Sequence, residues 1–181
     1  SVRRLLGYDH SMGVIHAGNR VVKVDVFPMG IDENRFSSAG ALATVQAVQK
    51  TIARQHRGRK LILSVDRLDY SKGIPTRIAA FCRLLERHPE RAGTVVLLII
   101  ISPSRESVPR YLELKREVDE LVSNINGRWS TLDWNPIHYQ YQTASFDELN
   151  AVYRQADVLL VTPLRDGMNL IAKEYIAACN D

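Results

Sequence analysis

Arg67 and Lys72 stand five residues apart in Asp66-Arg67-Leu68-Asp69-Tyr70-Ser71-Lys72-Gly73-Ile74-Pro75, between an apolar run and a helical pattern. A planar guanidinium and a compact ammonium converging on one spot suit a diphosphate, and Gly73 permits a close backbone approach. The same spacing equally permits Arg67 to pair with Asp69 while Lys72 is solvated. A second stretch, Leu159 to Glu174, opens with an apolar β-branched run, breaks at Pro163 and Asp166-Gly167, and resumes at helical spacing from Met168. Strand, tight loop, helix is the resulting order. Free N–H groups and the dipole at the start of such a helix favour an anion, and Glu174, in the second turn, can face a neutral, hydroxyl-bearing part of the same ligand. The plainer alternative is that Asp166-Gly167 is only a turn and Asp166 caps the helix at Asn169. In a third loop, Ser102-Pro103-Ser104-Arg105-Glu106, Arg105 is placed either to meet a second anion near the same rim or to pair with Glu106.

These loops need a frame that brings them together, and the hydropathy pattern supplies one. Strands over Lys60–Val65, Thr94–Ile101, Ile137–Tyr141 and Val158–Val161 alternate with helices over Ile74–Arg87, Val108–Asn126, Ser145 onward and Met168–Cys179. The second strand is apolar at every position from Val95, as in a strand covered on both faces. His88-Pro89 ends one helix, Gly127 suits the C-cap of the next, and Ser145 with Glu148 forms a capping box for the third. The fold class is therefore α/β, a Rossmann-like parallel sheet with helices on both faces. In such sheets ligands bind in the loops beyond the carboxyl ends of the strands. Upstream, Val14-Ile15-His16 and Val21 to Phe27 read as a hairpin, Pro28 to Asp32 as a linker, and a helix follows Ser37-Ser38 with Leu42, Val45, Val48 and Ile52 on one face. The boundary is set at residues 1–33 (hairpin and linker) and 34–181 (the α/β domain).

Composition excludes several classes. The chain has 181 residues, with 24 basic and 20 acidic side chains and a net charge of +4. That excess is spread out, with no dense Lys/Arg block and no basic–aromatic interleaving, so a nucleic-acid face is not indicated. The longest apolar run, Val95 to Ile101, is too short to span a bilayer. Cys82 and Cys179 lie in no metal-ligand spacing and read as reduced, part-buried thiols of a cytoplasmic protein. The five histidines form no metal set, and neither a P-loop nor a GxGxxG fingerprint is present.

The two long stretches, Val65 to Gly73 and Thr162 to Glu174, closely resemble the signature stretches of trehalose-6-phosphate synthases, retaining glycosyltransferases of GT-B architecture. Phe27 to Asp32, Ser102 to Arg105 and Ile125 to Arg128 extend the resemblance. It implies transfer of glucose from UDP-glucose to glucose 6-phosphate, giving trehalose 6-phosphate and UDP. Arg67 and Lys72 inherit contact with the donor diphosphate. Asp166, Gly167, Met168 and Asn169 inherit the donor glucose hydroxyls, Leu170 and Ile171 the phosphates through their backbone, and Glu174 the ribose. Arg105 inherits the acceptor phosphate. Catalysis would rest on Arg67, Lys72 and Asp166, with front-face displacement, the leaving phosphate taking the acceptor proton, and no metal or other cofactor. The partners implied are a nucleotide sugar and a sugar phosphate, with neither nucleic acid nor membrane; a homo-oligomer or a trehalose-phosphatase partner domain is compatible with the resemblance. Relatives with the same motifs use acceptors such as glycerol 3-phosphate, and non-catalytic regulatory subunits also exist, although the latter should lose the cations kept here. Against the resemblance, residues 1–33 look like the end of an N-terminal acceptor domain, so the chain is expected to be most of a donor-binding half and inactive alone.

Overall fold

The computed structural model describes residues 2–56, 58–105 and 107–179. Two compact units divide between Gly30 and Ile31. In the first, helix α1 (Val2–Leu6) precedes a three-stranded antiparallel sheet of β1 (His10–Ser11), β2 (Val14–Ala17) and β3 (Arg20–Lys23). Gly18, at φ 61°, takes the left-handed conformation that the β2–β3 turn requires. The sequence predicts strand as far as Phe27, but β3 stops at Lys23 because its partner β2 begins at Val14, opposite Lys23. Val26 and Phe27 are left exposed.

The second unit holds α2 (Glu33–Ser38), α3 (Ala43–His56), β4 (Lys60–Arg67), α4 (Ile74–Arg87), β5 (Val95–Ser102), α5 (Pro109–Trp129), β6 (Ile137–Tyr141), α6 (Phe146–Gln155), β7 (Val158–Leu159) and α7 (Leu170–Cys179). Its four strands are all parallel, in the order β6-β5-β4-β7. Helices cover both faces: α4 packs with α5, and α3 with α6. The expected α/β class is thus observed. Val95 to Ile101 in β5 are all buried, as their unbroken apolarity predicts. On α4, Ile74, Ile78, Phe81 and Leu85 form the buried face.

Several boundaries differ from the sequence reading. Asp66 and Arg67 are the last residues of β4, not part of the loop, because they continue the ladder opposite Ile101 and Ser102. The linker reading of Asp32 gives way to an N-cap: its carboxylate accepts from Arg35 N at 3.1 Å and starts α2, which ends at Ser38 where a helix was expected to begin. Leu42 is exposed instead of on the buried face, since α3 starts one residue later. Gly127 lies inside α5; Asn126 grips Ile137 N and O from the same turn, and that tertiary anchor outweighs the roughly 1 kcal/mol cost of a helical glycine. The last helix starts at Leu170 because Asn169, not Asp166, caps it, its Oδ1 accepting from Ala172 N at 3.0 Å. The β7 pairing covers only Val158 and Leu159, and Cys179 is exposed, not part-buried.

Candidate functional site

The order β6-β5-β4-β7 changes direction between β4 and β7: the chain winds outward through β5 and β6, then returns to the other side of β4. Such a switch point opens a crevice at the carboxyl ends of the strands. A cavity of about 360 Å³ lies there, walled by Val65, Asp66 and Arg67 of β4, Ile100 and Ser102 of β5, and Met168, Asn169, Leu170, Ile171 and Glu174 at the head of α7. Lys72 lines it as well. Seven of the residues singled out from sequence therefore share one wall: Arg67, Lys72, Met168, Asn169, Leu170, Ile171 and Glu174. Asp166 and Gly167 sit just outside it, in the loop that precedes Met168, and Arg105 does not line it.

The two signature loops are joined to each other. Ser71 O accepts from Leu164 N at 2.8 Å and from Arg165 N at 3.2 Å. Lys72 Nζ donates to Asp166 Oδ2 at 2.6 Å, with the two side chains only 17% and 16% exposed. This answers the alternative in which Lys72 is solvated and Arg67 pairs with Asp69. Asp69 is instead engaged by Ser71 N and Oγ, at 2.8 and 2.7 Å, as N-cap of the 3-10 turn Tyr70–Lys72. Burial works to raise the Asp69 carboxyl, but the Ser71 and Tyr111 hydrogen bonds outweigh it and hold its pKa below the ordinary value. The Arg67 side chain is exposed at the strand end and has no ion-pair or hydrogen-bond partner among the described residues.

Gly73 is where the loops touch. At φ 65°, a Cβ there would stand 2.9 Å from Thr162 O, so the close backbone approach that glycine permits is that of the neighbouring loop.

Asp166 organises its own loop, accepting from Met168 N at 3.3 Å and Asn169 Nδ2 at 3.2 Å besides Lys72. Donation from Lys72 is the main reason its carboxyl lies below the ordinary range. Leu170 and Ile171 are the first two residues of α7, and N–H groups at a helix start have no partner inside the helix. Glu174 accepts from the Tyr153 hydroxyl at 2.9 Å; burial, then the neighbouring carboxylate, pushes Tyr153 up, so the phenol keeps its proton and remains the donor. Among the described residues the other Glu174 oxygen takes no hydrogen bond, and Glu174 lines the crevice.

Arg105 adopts φ 47°, a left-handed conformation uncommon outside glycine. Its guanidinium stands 5.8 Å from the centre of the Tyr111 ring and bonds that hydroxyl at 3.4 Å, which in turn reaches Asp69 Oδ2 at 3.4 Å. The sequence alternative of a pairing with Glu106 lies outside the described residues.

Sequence reasoning missed Arg77. Its side chain is buried on α4 and reaches back to four groups: Thr162 Oγ1, Ser64 Oγ, Asp66 Oδ2 and Lys72 O. The signal was available, since position 77 falls in the 74, 78, 81, 85 register of the buried face, where a cation is out of place. Burial pushes the Asp66 carboxyl up, against the pull of Arg77 at 2.6 Å.

No group of three or more His, Cys, Asp or Glu placed to hold a metal occurs among the described residues, and no helix among them is long and apolar enough to cross a membrane.

The family model for glycosyltransferase family 20 matches residues 1–181. The chain belongs to that family. A bifunctional trehalose-6-phosphate synthase/phosphatase from Thermoproteus tenax is 48% identical over 183 residues, which is 100% of this chain and 25% of that protein. Among solved structures, an α,α-trehalose-phosphate synthase (UDP-forming) from Burkholderia xenovorans in complex with glucose-6-phosphate superposes with a TM-score of 0.88 at 38% identity, over 96% of this chain and 38% of that one. A trehalose-6-phosphate structure from E. coli bound with UDP-2-fluoro glucose gives 0.87 at 34% identity, over 95% and 38%. This family 20 chain thus spans about a quarter to two fifths of the length of these relatives.

Proposed function

We propose that the protein transfers glucose from UDP-glucose to glucose 6-phosphate with retention of configuration, forming trehalose 6-phosphate and UDP, and that residues 31–181 hold the donor. The observation that carries this is the convergence on one crevice of Arg67, Lys72, the head of α7 and Glu174, in a family 20 chain. Each supplies what one part of a nucleotide sugar needs. Arg67 and Lys72 offer charge-assisted donors to the diphosphate, and the N–H groups of Leu170 and Ile171 add neutral ones under the helix dipole. Glu174, held by Tyr153, accepts from ribose hydroxyls. Asp166, Gly167, Met168 and Asn169 face the glucose. A carboxylate has about four acceptor positions, so Asp166 can release Lys72 to the diphosphate and still accept from sugar hydroxyls.

The chemistry is front-face displacement. As the glucosyl–phosphate bond lengthens, negative charge grows on the departing UDP, where Arg67 and Lys72 stabilise it more than in the ground state. The leaving phosphate takes the proton of the acceptor hydroxyl, so no carboxylate nucleophile of the glycosidase kind is required. Positioning supplies much of the rest. Arg105, steadied by Tyr111, binds the acceptor phosphate. The two cations take the charge-neutralising part in place of a metal or cofactor, in a cytoplasmic enzyme.

Calorimetric titration of UDP into the chain and into Arg67→Ala tests the assignment. The variant should lose about 1.5–3 kcal/mol, as for a charged hydrogen bond. Equal affinities would sink it.

A further inference from the structure

Arg77 belongs to neither signature stretch, yet it touches both. It sits in the first turn of α4, and its buried guanidinium turns back beneath the crevice. Nη1 donates to Asp66 Oδ2 at 2.6 Å and to Ser64 Oγ; Nη2 donates to Lys72 O at 3.1 Å; Nε donates to Thr162 Oγ1 at 2.9 Å. Asp66 is the residue before Arg67, and Lys72 closes the same segment. Two arms of one rigid fork therefore fix both ends of the stretch that carries the two cations. The third arm fixes Thr162, two residues before Leu164 and four before Asp166, on the facing loop.

We propose that Arg77 is a positioning residue for the donor site, setting the distance and orientation between Arg67, Lys72 and the Asp166 loop; this rests on the donor-site reading above. The planar fork is the reason for the residue type. A guanidinium offers five donors in fixed geometry, and four are used here on three separate segments. A lysine would keep the charge and lose the shape. Burying the Arg77–Asp66 pair, with side chains 2% and 7% exposed, is weak support for stability, because desolvation offsets the attraction. What the arrangement supplies is a single geometry in which Lys72 reaches Asp166 at 2.6 Å.

The test uses the whole 181-residue chain in four forms: wild type, Arg77→Met, Arg77→Lys and Thr162→Val, each checked for a cooperative melt. Two readings are taken. The first is the titration midpoint of the Asp166 carboxyl by carbon NMR, with Asp133, which is held low at the far end of the sheet by Thr131, as internal control. The second is UDP affinity by calorimetry. In Arg77→Met the Asp166 midpoint should move up toward the ordinary carboxylate value while Asp133 stays put, and UDP affinity should fall roughly tenfold to a hundredfold. Arg77→Lys should behave like Arg77→Met, and Thr162→Val should shift both readings in the same direction by less. A folded Arg77→Met with Asp166 and UDP affinity unchanged overturns the proposal. So does restoration of both by Arg77→Lys, which would make charge and not shape the cause. If neither Arg77 variant melts cooperatively, Thr162→Val decides alone, and no movement in its Asp166 midpoint overturns the proposal. Wild type failing to bind UDP would count against the donor-site reading, while the Asp166 titration would still decide the role of Arg77.

Discussion

The two ends of the parallel sheet each carry a cavity lined with basic side chains, and only one looks built for a ligand. The crevice at the carboxyl end measures about 360 Å³, and the cavity at the amino end, walled by His56, Arg59, Trp134, Asp133 and His138, about 450 Å³. Size and basic lining therefore do not separate them. Polarity does. Every helix that follows a parallel strand begins at the carboxyl end, so α7 presents its N–H groups there, whereas α3 ends at His56 and turns its carbonyl end toward the other cavity. Connection separates them too. At the carboxyl end Lys72 meets Asp166, and Arg77 meets Asp66 and Thr162 across the fold. At the amino end Arg59 is held locally by Gly93 O and Asp133, and His56 Nδ1 is buried without a hydrogen-bond partner among the described residues.

The largest effect should come from a change that strikes both ends at once. Leu63 is fully buried at the middle of β4, beside Leu98 and Leu159. Leu63→Ala should cost about 2–5 kcal/mol in urea unfolding; a loss below roughly 1 kcal/mol would mean the two ends do not share this floor. Next, a paired experiment separates the ends. Lys72→Met should weaken UDP by about 1.5–3 kcal/mol, and Arg59→Met by less than about 0.5 kcal/mol. Comparable losses would erase the distinction between the two ends. Within the carboxyl end, Glu174→Gln should weaken UDP by about 0.5–1.5 kcal/mol and leave inorganic diphosphate unchanged; if both weaken alike, Glu174 is structural.

The smallest effect is a pH dependence confined to the amino end. His56 and His138 lie 5.1 Å apart, and burial holds both below the ordinary 6.5, with the charge of Arg59 adding to it. The unfolded chain then binds more protons than the native one just below that value. Stability should be complete above pH 6.5 and fall as pH drops through the lowered native values. His56→Gln with His138→Gln should flatten this slope in urea titrations at stepped pH and leave the UDP affinity at pH 7.5 unchanged.

Most of the frame was legible in the sequence, because strand and helix periods are local properties. The run Val95 to Ile101 and the face Ile74, Ile78, Phe81, Leu85 needed only counting. Where the reading failed, a distant partner had intervened. Asn126 carries α5 past Gly127 by holding Ile137, and β3 ends at Lys23 for want of more β2. The candidate site divides in the same way. Arg67, Lys72 and the head of α7 announce themselves by residue type. The Lys72–Asp166 pair joins residues 94 positions apart, and no local pattern encodes it. Arg77 lay between these cases, a cation visible in an apolar register, whose four acceptors only the fold assembles.

The shared acceptor at Ser71 has a kinetic consequence. Leu164 is 71% exposed, so its side chain suggests a loop amide that trades its hydrogen with solvent at once. Its N–H, however, is held by Ser71 O at 2.8 Å, with Arg165 N–H on the same oxygen. Exchange at these two amides requires the signature loops to part. Their deuterium uptake therefore clocks the opening of the crevice, and it should slow together at both positions as UDP is added.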